Sequence, residues 1–135
     1  MADNAFLVRI ISPDRTFYEG EAVMLECRTT EGEIGILKNH IPLTAVLAPG
    51  VCRIKESETE VKVAALIGGF IEILQDSVTI LAEIAEWPDE IDIKRAEEAR
   101  ARAERRLTEK KPDTDLARAS TALQRSIARI EAAKK

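Results

Sequence analysis

"AEWPDEIDIKRAEEAR", residues 85–100, separates two kinds of text. Before Trp87-Pro88-Asp89 the chain is written in short apolar runs broken by turn residues. After it there is no Gly and only one further Pro, Pro112, while Ala, Arg, Glu and Lys dominate. The first half therefore predicts strands and the second predicts helices, because Gly and Pro punctuate the former and are costly inside the latter.

Working back from Trp87, "VTILAEIA", "FIEILQ", "EVKVAALI", "GVCRIKE", "AVMLECRTT" and "AFLVRIIS" carry partial alternation of apolar and polar residues. They are separated by Gln75-Asp76-Ser77, Gly68-Gly69, Pro49-Gly50 and Ser12-Pro13-Asp14. No helix-period segment interrupts them, which argues against a βαβ arrangement; the strands predict an all-β sandwich or barrel, taken as a sandwich over residues 1–86. Working forward, residues 90–110 and 114–133 fit helical period, with "KKPD" (110–113) as the turn and Asp113 or Asp115 as the cap of the second helix. So short a turn predicts an antiparallel hairpin over 87–135. The fold class is thus α+β in two modules, a β sandwich followed by a two-helix hairpin.

The seam of that hairpin is predicted from Ala96, Ala99, Ala103 and Leu107 against Leu116, Ala119, Leu123, Ile127 and Ile130. A buried methyl contributes only about 0.8 kcal/mol, against roughly 1.5–3 kcal/mol for a leucine side chain. Ordering two helices costs more than such a seam returns. The hairpin is expected to lean on the β module, a ligand or a partner.

Charge divides the same way. Residues 1–86 carry 7 Lys/Arg against 14 Asp/Glu, and residues 87–135 carry 13 against 10. The N-terminus shows no basic segment followed by an apolar run, and no stretch reaches the roughly 20 apolar residues of a membrane helix. Cys27 and Cys52 lack metal or redox spacing and read as small core residues of a reducing compartment. With a single His, no Cys/His, Ser/His or metal constellation is available, so no active site is expected.

Arg95, Arg102 and Arg106 repeat at steps of 7 and 4, as do Arg118, Arg125 and Arg129. Each trio forms a stripe flanking the seam, and in an antiparallel pair Arg95 comes opposite Arg129 and Arg106 opposite Arg118. Two readings stand. One is a solvated face with local ion pairs: Arg95 with Asp92 and Glu98, Arg102 with Glu98, Arg106 with Glu109, Arg118 with Asp115. The other is an anion site, because Arg125 and Arg129 have no carboxylate three or four residues away. Nucleic acid is disfavoured by the net charge of −4 and by the scarcity of aromatics to stack on bases.

"TTEGEIGILKNHIPLTAVLAPG" (29–50), "IGGFIEILQDSVTILAEIAE" (67–86) and the start of the first helix resemble the epsilon subunit of F-type ATP synthase, of bacterial, bacillus-like type. Lys38 stands where that family usually has Pro, and Ile67 where Ser is common. The resemblance implies a non-catalytic rotor subunit in the central stalk of a proton-translocating complex, peripheral on the cytoplasmic face of the bacterial membrane. Its sandwich would bind the gamma subunit and rest on the c-ring, with Glu33 toward the c-ring and His40 near gamma. From the residues alone, a lone His beside Pro42 reads as a turn residue. The hairpin would either fold on the sandwich or extend along gamma toward acidic loops of the beta (and alpha) subunits, blocking ATP hydrolysis.

The family motif I/L-D-x-x-R-A is matched by Ile91, Asp92, Arg95 and Ala96. By resemblance, this region would take the adenine of ATP and Glu86 the ribose hydroxyls. Arg95, Arg125 and Arg129 would meet the phosphates, supported by Arg102 and Arg118. No obligatory cofactor is implied; ATP would be a regulatory ligand, with Mg²⁺ left open. The alternative is the same rotor subunit without physiological ATP binding, its arginines serving only the extended state.

Overall fold

Strand β1 (Phe6–Ser12) alternates strictly enough to bury Phe6, Val8, Ile10 and Ser12 and expose Leu7 and Arg9. It is followed by β2 (Arg15–Ala22), β3 (Met24–Thr29), β4 (Gly32–Ile36), β5 (Leu43–Val46), β6 (Gly50–Lys55), β7 (Val61–Ile73) and β8 (Ser77–Glu86), of which β3 alternates as cleanly. The computed structural model describes residues 3–134; residues 1, 2 and 135, the outermost positions assigned to the two modules, lie outside the described residues.

The strands hydrogen-bond in the order β2-β1-β8-β7-β6-β3-β4, with β5 joining β7. All pairs are antiparallel except β1 with β8. The pivot is β7. Its first half pairs β6 and its second half pairs β5, while β8 runs along both. The sheet thereby folds over an aliphatic core that includes Val8, Ile10, Leu25, Ile36, Ile54, Ile71, Ile73 and Ile80. Gly68 and Gly69 were expected to separate two strands. They instead lie inside one 13-residue strand, at φ +75° and +115°, where it changes partner. A side chain on Gly69 would meet the Leu81 carbonyl oxygen at 2.0 Å, so glycine here permits the close approach of β8 rather than a turn. Strands β2, β4 and β5, which the alternation did not single out, complete the sandwich.

Cys27 and Cys52 are free and buried in this core, as their apolar setting predicted. Burial pushes the Cys27 thiol up to about 12 and that of Cys52 well above its ordinary value, so neither is a nucleophile near neutral pH.

Trp87 closes the sandwich. It stacks on Phe17 at 4.1 Å between ring centroids and meets Tyr18 edge-on at 6.3 Å. A single 3₁₀ turn, Pro88–Glu90, follows; the Glu90 carboxylate accepts from the Trp87 N–H and from Arg15 on β2. The Arg15 guanidinium, together with the Trp87 N–H, holds the Glu90 carboxyl below the usual carboxylate range. The chain therefore stays fastened to the sandwich for four residues past Glu86.

Helices α1 (Ile93–Glu109) and α2 (Leu116–Ala133) form the expected hairpin, joined through Lys110 in a left-handed cap at φ +48°. Asp115, not Asp113, caps α2. α1 packs chiefly on α2, while α2 packs on both α1 and the outer face of β6 and β7. Ala132 meets Val51 and Ala65 there, flanked by Val63 and Ile91. This double duty corrects the predicted seam. Ala119 and Ile130 are buried as expected, but Leu116 and Ile127 remain exposed. Ser126, Ala128 and Ala132 take the buried positions, because small side chains let a helix approach a sheet and a second helix together.

Candidate functional site

Both helices begin with the same device. Asp92 accepts from the Arg95 N–H at 3.1 Å, and Asp115 accepts from the Arg118 N–H at 3.1 Å. The match extends to the sequence: Asp-Ile-Lys-Arg-Ala at 92–96 and Asp-Leu-Ala-Arg-Ala at 115–119, with Ala96 and Ala119 both buried. This internal repeat was not seen in the spacing analysis, although the two arginine trios are part of it. The two trios stand at equivalent positions of this repeat.

The caps correct the predicted ion pairs. Asp92 spends its carboxylate on the backbone, so its relation to Arg95 is a helix cap rather than a salt bridge. Among the described residues the pairs Arg95–Glu98, Arg102–Glu98, Arg106–Glu109 and Arg118–Asp115 do not form; on α1 the local pair is Arg100–Glu104.

The hairpin and the end of β8 enclose a cleft of about 790 Å³. Its floor is Glu86, Glu90 and Ile91. Its α1 wall carries Asp92, Arg95, Ala96 and Arg102, and its α2 wall carries Arg118, Arg125, Ser126 and Arg129. Every residue expected around a nucleotide (Glu86, Ile91, Asp92, Arg95, Ala96, Arg102, Arg118, Arg125 and Arg129) lines this one space. Arg106, placed opposite Arg118 by the alignment of the stripes, does not line it.

Five arginines and three carboxylates meet there. The three carboxylates are engaged: Glu90 by Arg15 at 2.7 Å, Asp92 by the α1 N-terminus, and Glu86 by Arg129 at 2.7 Å. Of the five cleft arginines, Arg129 thus has a carboxylate partner among the described residues. Among the described residues Arg95, Arg102, Arg118 and Arg125 have none, and the buried Arg125 Nε has no acceptor. A desolvated guanidinium N–H without an acceptor is costly. Four arginines around one cavity without carboxylate partners have the charge to hold a multiply charged anion, and their planar forks suit phosphate. Apolar Ile91, Ala96 and Ala99 at one end give room for a flat, uncharged group. Among the described residues no cluster of three or more His, Cys, Asp or Glu is placed to hold a metal ion.

Glu33 and His40 lie elsewhere, on the sandwich. Glu33 is exposed on β4, opposite Arg28. His40 is half-buried in the turn after β4, its Nδ1 donating to the Ile41 carbonyl at 2.7 Å. That turn is tied to the β7–β8 hairpin through the Asn39 N–H, which donates to Gln75 at 3.0 Å. One surface of the sandwich escaped the sequence reading. Val46, Phe70, Leu81 and Ile11 are cross-strand neighbours on β5, β7, β8 and β1. They make an apolar row in which Phe70 is 56% and Leu81 52% exposed. A continuous exposed apolar row of this kind is a feature that contact surfaces share.

Residues 5–88 match the family model for the ATP synthase delta/epsilon chain β-sandwich domain, and residues 89–134 match that for its long α-helix domain. An ATP synthase epsilon chain of Caldanaerobacter subterraneus is 45% identical, covering 98% of this chain and 96% of the relative. That of Halalkalibacterium halodurans is 46% identical, covering 93% and 95%. That of Brevibacillus brevis is 50% identical, covering 80% and 82%. Among solved structures, a chain of the Euglena gracilis mitochondrial ATP synthase superposes with a TM-score of 0.83 at 23% identity, covering 96% of this chain and 81% of that one. A chain of the Tetrahymena thermophila central stalk and c-ring superposes with a TM-score of 0.56 at 16% identity, covering 96% and 93%. At these identities the two structures speak for the fold alone.

Proposed function

This chain belongs to the epsilon family of ATP synthase subunits, and on that premise we propose that it is a non-catalytic rotor subunit whose hairpin cleft senses ATP. The observation that carries the proposal is the cleft itself: four arginines without carboxylate partners, one with a buried orphan N–H, beside an apolar end. Adenine enters between Ile91 and Ala96, the ribose hydroxyls face Glu86, and the phosphates lie between Arg95, Arg125 and Arg129, with Arg102 and Arg118 adding positive potential.

The mechanism follows from where these groups are fixed. Glu86, Glu90 and Ile91 belong to the sandwich side, and Arg125 and Arg129 to α2, so one bound ATP ties the hairpin to the sandwich. The protein interface it reinforces is small: Ala132 against Val51 and Ala65, flanked by Val63 and Ile91, with the Arg129–Glu86 pair beside them. Without ATP the hairpin is free to extend along gamma, where its arginines meet acidic loops of the beta and alpha subunits and stop hydrolysis. The sandwich remains on the rotor. Its apolar row Val46-Phe70-Leu81-Ile11 faces gamma, His40 lies at the border of that contact, and Glu33 points toward the c-ring. The subunit sits peripherally on the cytoplasmic face of the membrane; among the described residues no helix is long and apolar enough to cross it.

A sensor of cellular ATP needs a dissociation constant of about 1 mM, roughly −4 kcal/mol. Charge-assisted hydrogen bonds at about 1.5–3 kcal/mol each supply this after ordering costs. Titrating the full chain with ATP while following Trp87 fluorescence tests the reading, since Trp87 adjoins Glu86 and is held by Glu90. Half-saturation near 1 mM is expected for the native chain, and no response for the Asp92→Ala, Arg95→Ala variant. A native chain silent at several millimolar ATP would leave the arginines to the extended state alone.

A further inference from the structure

One ion pair already occupies the phosphate end of the cleft. Arg129 Nε donates to Glu86 Oε1 at 2.7 Å, and its Nη2 reaches Oε2 at 3.5 Å. The partners are 43 residues apart and join α2 to the last residue of β8. Both side chains are about one third exposed or less, 30% and 26%, so water screens them less than it screens a rim pair. The Nε/Nη2 edge is the fork by which a guanidinium grips a carboxylate or a phosphate with two parallel bonds. Glu86 uses that edge, so a phosphate cannot have it at the same time. The other two cleft carboxylates hold Arg15 and the α1 backbone, leaving Glu86 as the single cleft acid that sits on a cleft arginine.

We infer that Glu86 is a built-in substitute for a ligand phosphate: a polyphosphate entering the cleft takes the Nε/Nη2 edge of Arg129 and frees the Glu86 carboxylate. This rests on the nucleotide reading above and deepens it in two ways. First, every ligand must break a charge-assisted pair to bind, which keeps affinity low although five arginines surround the site. Second, the freed carboxylate is an acceptor in a partly desolvated place. A ligand with sugar hydroxyls satisfies it; a bare polyphosphate leaves it unpaired. Glu86 therefore discriminates nucleotides from inorganic polyphosphate, and the exchange replaces a direct sandwich–hairpin clasp by one that runs through the ligand.

The test uses the full chain with labelled arginine Nε–H and glutamate Cδ, followed by NMR. ATP and inorganic tripolyphosphate are titrated separately into native protein and into Glu86→Gln. In native protein both ligands are expected to shift the Arg129 Nε–H and the Glu86 Cδ together. Glu86→Gln is expected to bind tripolyphosphate roughly tenfold more tightly, the value of one charge-assisted bond, while ATP gains much less. Arginine signals that respond while Glu86 Cδ stays fixed in native protein would overturn the exchange and leave ATP binding intact. That arm does not depend on how the variant folds. Cleft arginines that respond to neither ligand would overturn the nucleotide reading and the exchange with it.

Discussion

Gly69→Ala is expected to cost about 3–5 kcal/mol of stability and to lower the melting temperature by roughly 10–20 °C. Gly69 lies at φ +115°, which side chains rarely adopt, and a Cβ there would fall 2.0 Å from the Leu81 carbonyl oxygen and 2.9 Å from the Ala82 Cα. Both clashes are with backbone, so no rotamer relieves them. The only adjustment is to part β7 from β8 at the point where the sheet folds over, which also loosens the Gly68–Glu83 neighbourhood. Gly32→Ala is the control. Gly32 has a similar φ of +121° but nothing within 4 Å of its would-be Cβ, so it registers backbone strain without collision. Thermal denaturation of the two variants separates the terms. Equal losses at both sites would mean that close packing at Gly69 adds nothing.

Arg95→Ala with Arg125→Ala is expected to weaken ATP binding by at least about 100-fold, two charge-assisted bonds' worth, and to leave stability unchanged or slightly raised. Neither arginine has a carboxylate partner among the described residues, and the Arg125 Nε is buried without an acceptor. Removing them breaks no ion pair among the described residues and relieves a desolvated N–H. Calorimetric titration with ATP and a thermal melt of the same variant give the two readouts. Weaker binding accompanied by a lower melting temperature would show that these arginines hold the fold rather than a ligand.

The sandwich and the hairpin were legible because alternation and helical period are local properties of the chain. Asp115 was one of two residues expected to cap the second helix, and it does; Asp92 was read as an ion-pair partner of Arg95 and proves to be the matching cap of the first. What depends on distant neighbours was not legible. Leu116 and Ile127 fit the seam by period, but α2 also lies on β6 and β7, and period alone does not say which neighbour a helix faces. Gly68-Gly69 reads as a turn until the partners of β7 are known. The residues proposed to hold a nucleotide were singled out partly by stripe geometry and partly by family motif, and all of them line one cleft. The Glu86–Arg129 pair was not foreseen, because its partners are 43 residues apart and both had been assigned to the ligand. The apolar row on the sandwich was missed for the same reason: Val46, Phe70, Leu81 and Ile11 come from four strands and become adjacent only through register.

The central claim is that ATP fastens the hairpin to the sandwich, and amide hydrogen exchange of the full chain with and without ATP tests it most directly. Saturating ATP is expected to slow exchange across α1 and α2 and to leave the core strands β1, β7 and β8 unchanged. Hairpin exchange that is the same with bound ATP as without it would contradict the account.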